Sequence, residues 1–112
     1  MVFGIEEVAM LCTPSYQPPA LDRIIRLGRH RRLDVVWTAQ RMAEVSRRIT
    51  SATDLFILFA HTEPRDLDAI AARCGPEVAD QVAGLSLHGC LYYDVIRRRM
   101  REAEPESALV RA

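Results

Sequence analysis

The sequence predicts an α/β fold with a mainly parallel sheet and flanking helices, and three observations predict it. Short apolar runs at 2–6, 33–38 and 54–60 lack the polar alternation of a half-exposed strand, as strands buried on both faces do. Stretches of helical periodicity separate them. Proline, glycine and acidic residues punctuate the joins. The three runs are therefore expected in one parallel sheet. A chain of 112 residues, 49% hydrophobic and 27% charged, fits one globular domain with enough apolar material for a core.

The first run, VFGIEEVAMLC at 2–12, reads as a buried strand ending in two adjacent carboxylates, Glu6 and Glu7. TPSYQPP, 13–19, is a loop by its prolines. A helix is expected from Ala20 to about Arg31, since Leu21, Ile24, Ile25 and Leu27 cluster on one side. LDVVWT, 33–38, is rich in β-branched and aromatic residues and too short for a stable helix, so it is the second strand. A short helix is expected over Met42 to Ile49, and DLFILFA, 54–60, is the third strand. The stretch EPRDLDAIAARCG predicts a helix from Glu63 or Pro64 to Cys74, with Pro64 in the first turn, Asp66 and Asp68 at the positive end and Gly75 at the exit. Arg65 and Asp66 read as a helix start with surface pairing. Another short helix starts at Pro76, and HGCLYYDVI, 88–96, is a final strand. RRRMREAEPESALVRA is expected as a charged tail, which divides the chain into a domain at 1–96 and a tail at 97–112.

Fifteen acids balance fifteen basic residues, so net charge gives no argument for a polyanion partner. The distribution is uneven: eight arginines lie between Arg23 and Arg48 against Asp34 and Glu44, which permits a basic face. Cys12, Cys74 and Cys90 have no paired spacing of a zinc or redox site and read as buried small hydrophobes of a reducing compartment. No apolar run approaches a membrane span and no basic leader precedes the first run, so a cytoplasmic location is expected, the host cytoplasm if a phage encodes the chain. His30, His61 and His88 are scattered and receive no role.

Adjacent acids at the end of a buried strand have the form of a Walker B segment, in which one acid serves the magnesium shell and a neighbouring glutamate the attacking water. All the basic residues are arginine, so a P-loop lysine cannot come from this chain. Further along, GRHRRLDVVWTAQR and ITSATDLFILFAHTEPRDLDAIAARCG resemble the C-terminal half of HerA/FtsK-type ATPases, which include DNA translocases, phage packaging ATPases and zonula-occludens-toxin-like proteins. The matching features are an arginine-and-glycine turn at Leu27 through Arg32, a strand ending in a TQR-like signature at Thr38 through Arg41, and an acidic helix start at Thr62 through Leu67. Together with the acid pair they cover roughly residues 2–75.

The resemblance implies a partial P-loop NTPase (RecA-like) core and a role for each matching residue. Glu6 would hold magnesium through its water shell and so serve the bound nucleotide, Glu7 would polarise the attacking water, and Gln40 would sense the γ-phosphate or lytic water. Arg29 would reach a neighbouring subunit's nucleotide, with Arg31 and Arg32 as rivals. The family usually shows aspartate before the glutamate and proline after the signature arginine; here Glu6 and Met42 stand in those places. The resemblance further implies that the P-loop strand lies between 33–38 and 54–60, so that without it these strands either lack neighbours or pair with each other. ATP and Mg2+ are then cofactors only together with the missing P-loop half, and the chain alone is expected to be inactive. Whether it is an enzyme in its own right is left open. The expected partners are that half or neighbouring subunits in a homo-oligomeric ring, with DNA as the polymer moved. Three explanations stay open: a fragment of a longer ATPase, one part of a split motor, or a non-catalytic DNA- or protein-binding module with the basic segment 23–48 as its contact surface.

Overall fold

The computed structural model describes residues 2–12, 16–28 and 32–103, which fall into two compact units divided between Ala52 and Thr53. The first unit contains β1 (Val2–Ile5), a 3-10 turn at Val8–Met10, α1 (Pro19–Gly28), β2 (Asp34–Trp37), a second 3-10 turn at Met42–Glu44 and α2 (Arg47–Ser51). β1 and β2 are parallel, with Val2 opposite Asp34 and Ile5 opposite Trp37. Two parallel strands need a crossover, and α1 supplies it. Because side chains alternate across a strand, Ile5, Val35 and Trp37 share one face. That face packs with Val8, Cys12, Leu21, Ile25, Val45 and Ile49 in the unit's core. The other face carries Val2 and Val36, which are 66% and 55% exposed.

Within this unit the expected helix over Met42 to Ile49 is broken in two. Val45 is extended, and the Ser46 hydroxyl accepts from the Arg48 amide at 3.3 Å, so Ser46 begins a new helix. The same hydroxyl donates to Gln17 Oε1 at 3.0 Å. Gln17 Nε2 donates to Asp22 Oδ1 at 3.2 Å, which ties the approach to α1 to the start of α2. β1 also differs from the buried strand expected: of its residues only Ile5 is buried.

The second unit contains β3 (Leu55–Phe59), α3 (Pro64–Cys74), α4 (Pro76–Ala83), β4 (Cys90–Asp94) and β5 (Arg99–Ala103). Its sheet has the order β3-β4-β5 and is antiparallel throughout. α3 starts as the sequence predicts, but its cap is Glu63, whose Oε2 accepts from the Asp66 amide at 3.1 Å. Asp66, expected at the surface, is only 2% exposed. Gly75 joins α3 to α4 at φ 109°, a conformation that strains any side chain, and its amide closes the last turn of α3 on the Ala71 carbonyl. Phe56, Leu58, Ile70, Cys74, Val78, Val82 and Leu91 are buried, with α4 against β4.

Two expectations are corrected here. The fold is α/β, but its strands are not parallel throughout: among the described residues β1 and β2 pair in parallel, and β3 pairs with β4 in the opposite sense. The ladder partner of β2 is β1, and that of β3 is β4. Secondly, Arg99–Ala103, expected in a charged tail, are a strand. Only four residues separate β4 from β5, and so short a connection forces an antiparallel hairpin. The remainder of that tail, 104–112, lies outside the described residues. Cys12, Cys74 and Cys90 are buried free thiols, as expected. Among the described residues no helix is long and apolar enough to cross a membrane.

Candidate functional site

Both members of the acid pair and the sensor candidate stand at the carboxyl end of the parallel pair β1–β2. Glu6 and Glu7 form the turn directly after β1, and Gln40 follows β2 by three residues. Ligands of open parallel sheets collect at this end, where loops leave the strands and can be varied without disturbing the ladder. Glu6 and Gln40 are exposed and Glu7 half-buried. Arg41, beside Gln40, pairs with Glu44 at 3.8 Å. Arg29 and its rival Arg31 lie outside the described residues; Arg32 is exposed, with a left-handed backbone at φ 54°.

The ladder ends in a distinctive way. The Thr38 amide donates to the Ile5 carbonyl at 3.0 Å, the normal parallel bond. A regular ladder would next join the Glu7 amide to the Thr38 carbonyl. Instead the Val8 amide takes that carbonyl at 2.8 Å, and the Glu7 amide donates to the Thr38 hydroxyl Oγ1 at 3.1 Å. Glu7 is thus one extra residue, looped out of the register as in a bulge. Its backbone is left-handed, φ 53° and ψ 59°, which costs a residue other than glycine about 1 kcal/mol or more. The 3-10 turn that follows, with Val8 fully buried in the core, anchors the far side of the bulge.

The arrangement fits one half of a magnesium-nucleotide site. Magnesium keeps most of its water shell and takes one or two carboxylates beside phosphate oxygens, so one exposed carboxylate on a short turn is an adequate donor from this side. Among the described residues no three histidine, cysteine or acidic side chains gather as a self-sufficient metal site. Glu6 is the more exposed carboxylate of the two, and Glu7 is the one whose backbone amide is held by Thr38. The sequence showed Thr38 as part of a signature but not as the residue that holds Glu7, because the two are separated by 31 positions and only folding joins them.

Comparison with known proteins bears on the fold. No family model and no curated protein matches the chain. Among solved structures, it is similar to the genome packaging NTPase B204 of Sulfolobus turreted icosahedral virus 2 in complex with ATP-gammaS, with a TM-score of 0.86 and 27% identity over 93% of this chain. The same protein in complex with AMPPCP superposes with a TM-score of 0.87 and 26% identity. The DNA-packaging ATPase B204 of Sulfolobus Turreted Icosahedral Virus gives a TM-score of 0.84 and 26% identity. The chain spans about half the length of these proteins, 52% and 51% of theirs. The resemblance to the HerA/FtsK superfamily drawn from the sequence therefore holds across nearly the whole chain, beyond residue 75 where the motifs stop.

Proposed function

We propose that this chain is the C-terminal half of a packaging or translocating ATPase of the HerA/FtsK superfamily, catalytic when a P-loop half completes it. The observation that carries this reading is the bare parallel pair: β1–β2 presents Glu6, Glu7 and Gln40 at its carboxyl end while Val2 and Val36 leave one face open. Parallel sheets are ordinarily covered on both faces, and a two-stranded one with an open apolar face calls for more polypeptide. The second unit supports the same conclusion. Leu55, Ile57 and Phe59 on β3 are 52%, 51% and 55% exposed on the face away from the buried Phe56 and Leu58.

The strand edge points the same way. Asp54 accepts from the Val95 amide, so in the alternation of an antiparallel ladder Phe56 and Leu58 bond to β4 while the backbone groups of Leu55, Ile57 and Phe59 face outward. An apolar edge without lysine or proline is suited to receiving another strand. The proposed occupant is the P-loop strand, which brings the phosphate-binding amides and the lysine this chain lacks.

In the completed site Glu6 would hold magnesium, Glu7 would orient and polarise the attacking water, and Gln40 would report the γ-phosphate. The metal held there would supply compensation for the charge that develops in phosphoryl transfer. Arg29 remains the proposed trans-acting residue, which couples turnover to a ring. The polymer moved is DNA, gripped through phosphates without base readout. ATP turnover measured with the chain alone, with the polypeptide encoded immediately upstream, and with Glu7→Gln in that mixture tests the reading. Turnover is expected only in the wild-type mixture; a fully active Glu7→Gln mixture would refute the role of Glu7.

A second reading, a non-catalytic polyanion-binding module, is favoured by the β4–β5 hairpin. Arg97, Arg98, Arg99 and Arg101 are exposed, and among the described residues Arg97 alone of these four pairs with a carboxylate, Asp94 at 4.0 Å. Salt-dependent DNA binding by the chain alone, abolished by removing these arginines and indifferent to the upstream polypeptide, would favour it.

A further inference from the structure

We infer that the Thr38 hydroxyl is a latch that sets the position of Glu7, so that the tip of the sensor strand controls whether the acid is presented to the site. This deepens the catalytic reading of Glu7 and rests on it. Two ladder endings compete for the same groups. In the regular one the Glu7 amide would bond the Thr38 carbonyl; in the observed one the Val8 amide holds that carbonyl and the Thr38 hydroxyl takes the Glu7 amide. A shift of one residue in strand register turns side chains to the opposite face, so the two endings aim Glu7 in different directions. The observed ending carries a left-handed glutamate, and since the Thr38 carbonyl takes one amide in either ending, the hydroxyl bond is the additional contact of this one.

The latch also has a route to the nucleotide. Thr38 and Gln40 flank Ala39, which packs on the unit's core, so a pull on Gln40 is carried along three consecutive residues to the hydroxyl. Thr38 is thereby a positioning residue: it touches the backbone of Glu7 and acts through it. Serine would keep the hydroxyl, whereas valine matches threonine in shape and removes it. Thr38 is itself exposed, so valine there leaves the core untouched.

The test pairs a conformational readout with a kinetic one. In the full chain, the backbone chemical shifts and the amide-to-Hα coupling of Glu7 report its φ directly. Thr38→Ser is expected to keep the left-handed signature and Thr38→Val to move it to the extended value. In the mixture with the upstream polypeptide, Thr38→Val is expected to lower kcat about 10-fold to 100-fold with KM for ATP little changed, the pattern of a misplaced catalytic group, and Thr38→Ser to restore it. Left-handed Glu7 persisting in Thr38→Val overturns the latch, as does full turnover in Thr38→Val where Glu7→Gln is inactive. If Glu7→Gln itself retains turnover, the catalytic role of Glu7 falls, and the coupling measurement still judges the latch.

Discussion

At the scale of single residues, Glu7 trades stability for position. Its left-handed backbone is tolerated because the turn around it is fixed by Thr38 on one side and buried Val8 on the other. Asparagine adopts this conformation more readily than glutamate, so Glu7→Asn is expected to raise the stability of the chain by up to about 1 kcal/mol in urea denaturation while abolishing turnover of the completed enzyme. An unchanged or lowered urea midpoint would mean that the backbone is not strained there. Cys74 gives a second residue-level test. Burial pushes its thiol from an ordinary 9.0 up to about 11, against a smaller opposing effect of Arg73. The folded state then keeps a proton that the unfolded chain loses, so this contribution to stability is complete below pH 9 and declines as pH rises from 9 to about 11. The loss is on the order of 2 kcal/mol, and the slope over that window is expected to flatten in Cys74→Ala when stability is followed by denaturant titration across it.

At the scale of elements, a buried helix face and an open sheet face differ in what they tolerate. Ile70 in α3 has no exposure, and Ile70→Ala should cost about 2–5 kcal/mol and unfold its unit at a correspondingly lower denaturant concentration. Ile57, on the uncovered face of β3, should tolerate lysine with little loss of stability in the isolated chain. Ile57→Lys is expected nonetheless to prevent co-purification with the upstream polypeptide. Retention of the complex would show that this face is not where it docks. The contrast also explains which elements the sequence made legible. β2, α3, α4 and the helix start at Pro64 were readable because hydrophobic period, prolines and Gly75 are local signals. β5 was not: RMREA has no apolar face and all its charged residues are exposed, so pairing with β4 alone makes it a strand. The break at Ser46 was hidden for a similar reason, its cap being reinforced by Gln17 from 29 positions away. The acid pair and Gln40 were visible as a pattern, whereas the bulge that orients Glu7 depends on a contact between two strands.

At the scale of the whole molecule, the described residues form an α/β fold with a parallel pair and an antiparallel sheet, each apolar on a face that its own helices leave uncovered. The chain superposes on about half of a packaging NTPase, and the proposed docking would cover these faces. The central claim is that a P-loop half docks on these strands. Amide hydrogen exchange of Leu55, Ile57 and Phe59, measured with and without the upstream polypeptide, tests it most directly. Strand addition at the β3 edge predicts that these three amides become protected together when the polypeptide is added. Unchanged exchange at all three, in a mixture where the two chains demonstrably bind, would contradict it.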